Sequence, residues 1–117
     1  MFIKNSFIMS VLLVSLALCA EQQTSANVRL FDAAKAGNTV NIVAALKAGA
    51  SINVHDDMLW TPLHYAAARG HGAAVRELLE QGADKKARDK VGWTPLTVAK
   101  GQDIKRIIRD FREGSAS

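Results

Sequence analysis

Trp60-Thr61-Pro62-Leu63 returns as Trp93-Thr94-Pro95-Leu96, 33 residues further along the chain. A weaker echo lies the same distance upstream. Leu30 stands under Leu63, Ala33-Ala34 under Ala66-Ala67, Gly37 under Gly70, Ile42 under Val75, Leu46 under Leu79, and Gly49-Ala50 under Gly82-Ala83. A fixed period this short excludes most folds. It specifies supersecondary units that bury their apolar faces against one another rather than in a single shared core.

The unit follows from its residues. Thr61 and Thr94 each precede a proline. Threonine caps helix N-termini well, and proline suits the first helical position, where its missing N–H would have had no partner. Leu63, Ala66 and Ala67 then make one apolar stripe at helical spacing, with alanines small enough for close helix approach. Gly70 ends this helix and His71-Gly72 is read as the turn. Val75, Leu78 and Leu79 form the stripe of a second helix, stopped by Gly82 in the left-handed conformation that glycine accepts. Residues 83–93 then read as a polar, basic projecting loop.

The flanking units are imperfect copies. The first has expected helices over about 28–35 and 40–47, with a turn at Gly37-Asn38 and a stop at Gly49. The third needs a four-residue deletion to bring Ile104, Ile107 and Ile108 into the places of Val75, Leu78 and Leu79. Its first helix is expected over 95–100. Its second is expected from an Asp103 N-cap to Phe111, with Lys105, Arg106, Arg109 and Arg112 favouring its C-terminal dipole.

The phrase Thr61-Pro62-Leu63-His64-Tyr65-Ala66, with this period and these glycines, resembles the ankyrin repeat family and its T-P-L-H-x-A pattern. The resemblance implies an all-α solenoid of about three helix-turn-helix repeats with projecting loops. It divides residues 27–113 into repeats over 27–59, 60–92 and 93–113, before a loose tail at 114–117. It also implies structural roles for His64 and His71, which tie repeats together, and for Asp56 and Asp89, which shape the loop turns. The family's concave binding face, carried over position by position, falls on the loop tips and the outward side of the first helices. Besides His55, Asp57, Met58, Ala68 and Val91, it includes Trp60, Tyr65, Arg69, Arg88, Lys90 and Trp93. Those six are the expected partner-binding residues, since Trp, Tyr and Arg most often dominate binding energy. The alternative for the two tryptophans is stacking against adjacent loops, and for the loop cations plain solvation. The family prefers glycine two residues before the threonine. Gly92 obeys, but Leu59 does not, which leaves open the turn of the first loop and the roles of Asp57 and Met58.

The first 20 residues are of another kind. Lys4 gives a basic start, an apolar run from Phe7 to Ala20 is broken only by Ser10 and Ser15, and Glu21 to Ser25 is abruptly polar. This is the pattern of a secretory signal peptide, and it is short for a spanning helix of ~20 apolar residues; an uncleaved N-terminal anchor is the alternative. Residues 21–26 are read as a polar linker. The expected location is periplasmic or secreted, as for a small exported bacterial protein, with no membrane span after cleavage. Cys19, the chain's single cysteine, lies in this segment. Leu16-Ala17-Leu18-Cys19 faintly resembles a lipoprotein box, so attachment through a lipidated Cys19 is the alternative.

Charge is unevenly placed. The net formal charge is +4, and from Lys85 onward nine basic residues face four acidic ones. One end of the stack is therefore basic. No nucleophile stands beside a base, no glycine-rich phosphate loop follows a strand, and three histidines at these spacings do not make a zinc site. No enzyme, metal or cofactor is expected. The expected function is a monomeric protein–protein interaction module of the cell envelope. An immunity or inhibitor protein that plugs a toxin or enzyme is the alternative. Nucleic-acid binding through the basic end is disfavoured, because stacking aromatics beyond Trp93 do not interleave its cations.

Overall fold

The computed structural model describes residues 24–111. The expected signal segment, Cys19, Arg112 and the tail lie outside the described residues. Within them the chain is helical, with no strand. Helix α1 covers residues 24–36. It is followed by α2 (Thr39–Lys47), α3 (Pro62–Ala68), α4 (Gly72–Glu80), α5 (Pro95–Val98) and α6 (Gln102–Asp110). These pair as three helix-turn-helix units, and the expected stack is what forms. Helix α3 packs on α4 and α5, and α4 packs on α2 and α6, so each unit covers the next.

Local chemistry explains most boundaries. Thr61 caps α3 with its hydroxyl on the His64 N–H while the His64 ring takes the Thr61 N–H, and Pro62 fills the first turn. Asn38 caps α2 by accepting from the Asn41 N–H at 3.0 Å. Beyond α3, Gly70 adopts φ 78°, which lets His71 N–H return to the Ala66 carbonyl at 3.0 Å. This is the turn-closing geometry glycine makes inexpensive.

Four boundaries differ from the sequence reading. Helix α1 already runs through residues 24–26, assigned there to the linker, because Ala26 is buried and extends the Leu30, Ala33 and Ala34 stripe. His71 is the N-cap of α4 and Gly72 its first residue, rather than both forming the turn. A Cβ on Gly72 would touch the methyls of Ile104 and Ile107 at 3.4 Å, so this glycine marks close approach of α4 and α6. Helix α5 stops at Val98 instead of continuing to 100: Ala99 turns extended, and Lys100 N–H docks on the Ala67 carbonyl at 2.9 Å. That detour absorbs the four-residue deletion. The N-cap of α6 is Gly101, at φ 92°, and Asp103 lies in the first turn, where a carboxylate suits the helix dipole.

The core is one continuous seam of Leu, Ile, Val and Ala running through all three units. Leu30 and Ile42 belong to the first unit, Leu63, Val75 and Leu78 to the second, and Ile104 and Ile108 to the third; all are buried. The alanines at 33, 34, 45, 66, 67 and 74 are buried between helices, as small side chains must be where backbones run close. None of the described helices is long and apolar enough to cross a membrane.

Candidate binding surface

Two loop tips project from the stack, and they are built alike. In the first, Asp56 Oδ1 accepts from the backbone N–H of Met58 at 3.0 Å and of Trp60 at 2.9 Å. In the second, Asp89 Oδ1 accepts from Val91 at 3.0 Å and Trp93 at 2.8 Å. Each aspartate also exchanges backbone bonds across its turn: Asp56 N–H to the Trp60 carbonyl and Leu59 N–H to the Asp56 carbonyl, then Asp89 N–H to Trp93 and Gly92 N–H to Asp89. An aspartate that bonds backbone two residues on is the side-chain mimic of a turn. Leu59 takes φ 61°, the left-handed place Gly92 occupies at φ 88°, so the first tip turns as the second does despite lacking the glycine. Asp57 and Met58 are therefore displayed at the same places as Lys90 and Val91.

The tips are tied to the stack and to each other. His64 is fully buried; its Nδ1 accepts from Thr61 N–H at 3.2 Å and its Nε2–H donates to the Trp93 carbonyl at 3.0 Å. His71 Nε2–H donates to the Lys35 carbonyl at 2.9 Å. Both histidines bridge adjacent units, as the resemblance implied. Lys90 N–H donates to the Met58 carbonyl at 3.1 Å, and the Trp60 indole N–H donates to Asp89 Oδ2 at 2.9 Å.

Electrostatics follows this wiring. Burial pushes the Asp56 carboxyl upward, but the Tyr65 hydroxyl, the Trp60 and Met58 N–H groups and the Lys35 charge outweigh it and hold it below the ordinary 3.8. At Asp89 burial likewise raises, and the Trp93 N–H, Trp60 indole and Val91 N–H prevail, with the same downward result. Tyr65, which donates its hydroxyl to Asp56, is pushed up to about 12, first by burial and then by that hydrogen bond and charge.

The expected contact residues separate into two groups. Trp60 and Tyr65 are half-buried and already engaged. Trp60 lies 5.0 Å from the Tyr65 ring and 5.7 Å from His64. Phe31 meets Tyr65 edge-on at 5.8 Å, and Lys35 Nζ stands 4.7 Å over the same ring. Trp60 thus packs on rings of helix α3 in its own unit, and only its indole N–H reaches the adjacent loop, at Asp89. Arg69, Arg88, Lys90 and Trp93 are exposed. Trp93 is 53% accessible, Val91 66% and Met58 54%. Phe31 and Lys35, which complete the ring cluster, escaped the sequence reading because they precede the first tip and belong to no motif. Their only signal was a position on the outward side of α1. Among the described residues no group of three or more His, Cys, Asp or Glu converges as metal ligands would.

The family model for ankyrin repeats matches residues 30–110 in three copies. The chain belongs to the ankyrin repeat family. Ankyrin repeats are generally non-catalytic protein–protein interaction modules, which agrees with a surface made of rigid tips. No curated relative matches this ankyrin chain.

Proposed function

We propose that this ankyrin-repeat chain is an exported binding module that holds a partner protein in the cell envelope through its loop tips and concave face. The observation that carries the reading is Trp93. It is a large aromatic left half-accessible at the end of a hydrogen-bonded turn, with Val91 and Met58 exposed and the cations Arg88 and Lys90 on the same tip. A rigid aromatic loses little entropy when covered, and such residues dominate binding energies. The charge imbalance beyond Lys85 favours an acidic partner surface. Export rests on the basic-apolar-polar pattern of the first 25 residues.

The test has two parts. N-terminal sequencing of the protein recovered from cells should show processing near Glu21; an intact Met1 on cytoplasmic protein excludes export. A partner captured by the chain from an envelope extract should bind Trp93→Ala more weakly by ~2 kcal/mol or more, with the fold unchanged by circular dichroism. Lys90→Ala should act mainly on association rate and salt dependence. Unchanged affinity and salt response in both variants would move the binding surface elsewhere.

A further inference from the structure

We infer that Trp93 is the anchor for an aspartate-bearing turn of an acidic protein segment, which docks on the second tip as the second tip docks on the first. The inference rests on the binding-face reading above and supplies the chemistry of the partner.

The template is inside the chain. Trp60 and Trp93 leave their turns identically: Thr61 and Thr94 both have φ −92° and ψ 167°. Each tryptophan N–H is held by its own aspartate, at 2.9 Å and 2.8 Å. On the first tip, two groups then reach across to the next turn. The Trp60 indole N–H takes Asp89 Oδ2 at 2.9 Å, and the Met58 carbonyl takes Lys90 N–H at 3.1 Å. The counterparts on the second tip are the Trp93 indole N–H and the Val91 carbonyl. Both have no hydrogen-bond partner among the described residues, and their side chains are exposed. The tip thus displays one donor and one acceptor, the two groups that one repeat earlier hold an aspartate side chain and the backbone N–H one residue after it.

Charge selects among turns. Lys86, Arg88 and Lys90 are exposed on this loop. They repel a basic segment and draw an acidic one, with a salt-sensitive rate. A nucleic acid backbone would satisfy the charge and the indole donor, but a phosphate brings no N–H for the Val91 carbonyl.

The chain's own first tip has the required chemistry, since residues 54–60 read Val-His-Asp-Asp-Met-Leu-Trp. The probe is a cyclised synthetic peptide of that sequence, titrated to millimolar concentration into the full-length chain labelled with nitrogen-15. Trp60 and Trp93 are its only tryptophans, so two indole N–H signals report separately, assigned with Trp93→Phe. The expected result is a saturable shift of the Trp93 indole signal with Trp60 unmoved, weaker at higher salt, and about tenfold weaker with a peptide carrying asparagine at both aspartates. A still Trp93 signal, an equal response to the asparagine peptide, a stronger response to a single-stranded oligonucleotide, or a Trp93 signal that moves on dilution of the protein alone would each overturn the inference. The last of these would indicate a second copy as the occupant. If the peptide fails while Trp93→Ala still weakens the captured partner, the acidic-turn inference falls and the binding-face reading stands. If Trp93→Ala leaves that partner's affinity unchanged, the binding-face reading itself falls.

Discussion

The indole N–H of Trp60 donates to the carboxylate of Asp89 at 2.9 Å, so residues 29 apart in the chain join two neighbouring loop tips. The bond does two things. It holds Trp60 against the stack, and it completes the set of donors that keeps Asp89 ionised. Two tips that could move independently are thereby presented as one surface.

Acid should loosen that surface first. The folded-state values of Asp56 and Asp89 lie below their unfolded value of 3.8. Their stabilising contribution is therefore present above about pH 4 and is lost as pH falls through the lower folded values. Urea midpoints are expected to be level from neutrality to about pH 5 and to fall below about pH 4. Asp56→Asn and Asp89→Asn together should flatten that fall, because asparagine retains the Oδ1 acceptor but does not titrate. An undiminished acid loss in the double variant would assign it to other carboxylates.

Tyr65 is the chain's single tyrosine, so phenolate absorbance reads it alone. The transition is expected near 12. Asp56→Asn removes two of the causes that raise it, the hydrogen bond and the charge, and should bring the transition back toward 10. Since the folded value is the higher one, the contribution of Tyr65 is complete below pH 10 and declines as pH rises toward 12. An unshifted transition in the variant would leave burial as the whole cause.

Gly37 and Gly82 both have positive φ, at 73° and 96°, but their surroundings differ. A Cβ on Gly37 would stand 2.6 Å from the His71 ring, whereas nothing lies within 4 Å of one on Gly82. Gly82→Ala should cost ~1–2 kcal/mol, the left-handed penalty alone. Gly37→Ala should cost more, because it also displaces His71 from the Lys35 carbonyl and opens the seam between the first two units. Equal losses in chemical denaturation would show that the His71 bridge contributes nothing.

Leu59 carries the same backbone strain without glycine's freedom. Its φ of 61° costs a branched side chain ~1–2 kcal/mol. Leu59→Gly relieves that strain but returns ~0.4–1 kcal/mol through the freer unfolded chain. The net expectation is a gain of up to ~1 kcal/mol, read from the urea midpoint, with the tip bonds of Asp56 intact. A destabilised variant would mean that the partly covered Leu59 side chain contributes more by packing than its backbone costs.

Much of the molecule is legible in its sequence. The period of 33, the Thr-Pro starts and the Gly stops specify units, helices and core stripe, because capping, ring geometry and left-handed glycine act within a few residues. What escaped was non-local. The early stop of α5 depends on Lys100 reaching Ala67, and the extension of α1 depends on Ala26 finding a buried place beside Leu30.

The two tryptophans show the division most clearly. By sequence they occupy one position in successive copies of one motif, and chemistry along the chain gives them the same turn and the same cap. Tertiary structure alone makes them different. Trp60 has a following tip whose aspartate takes its indole and a Tyr65 ring to lie on; at Trp93 the corresponding helix position carries Val98, and the ring remains open to solvent. A repeated motif determines conformation because its forces are local, whereas exposure depends on what stands beside each copy in space.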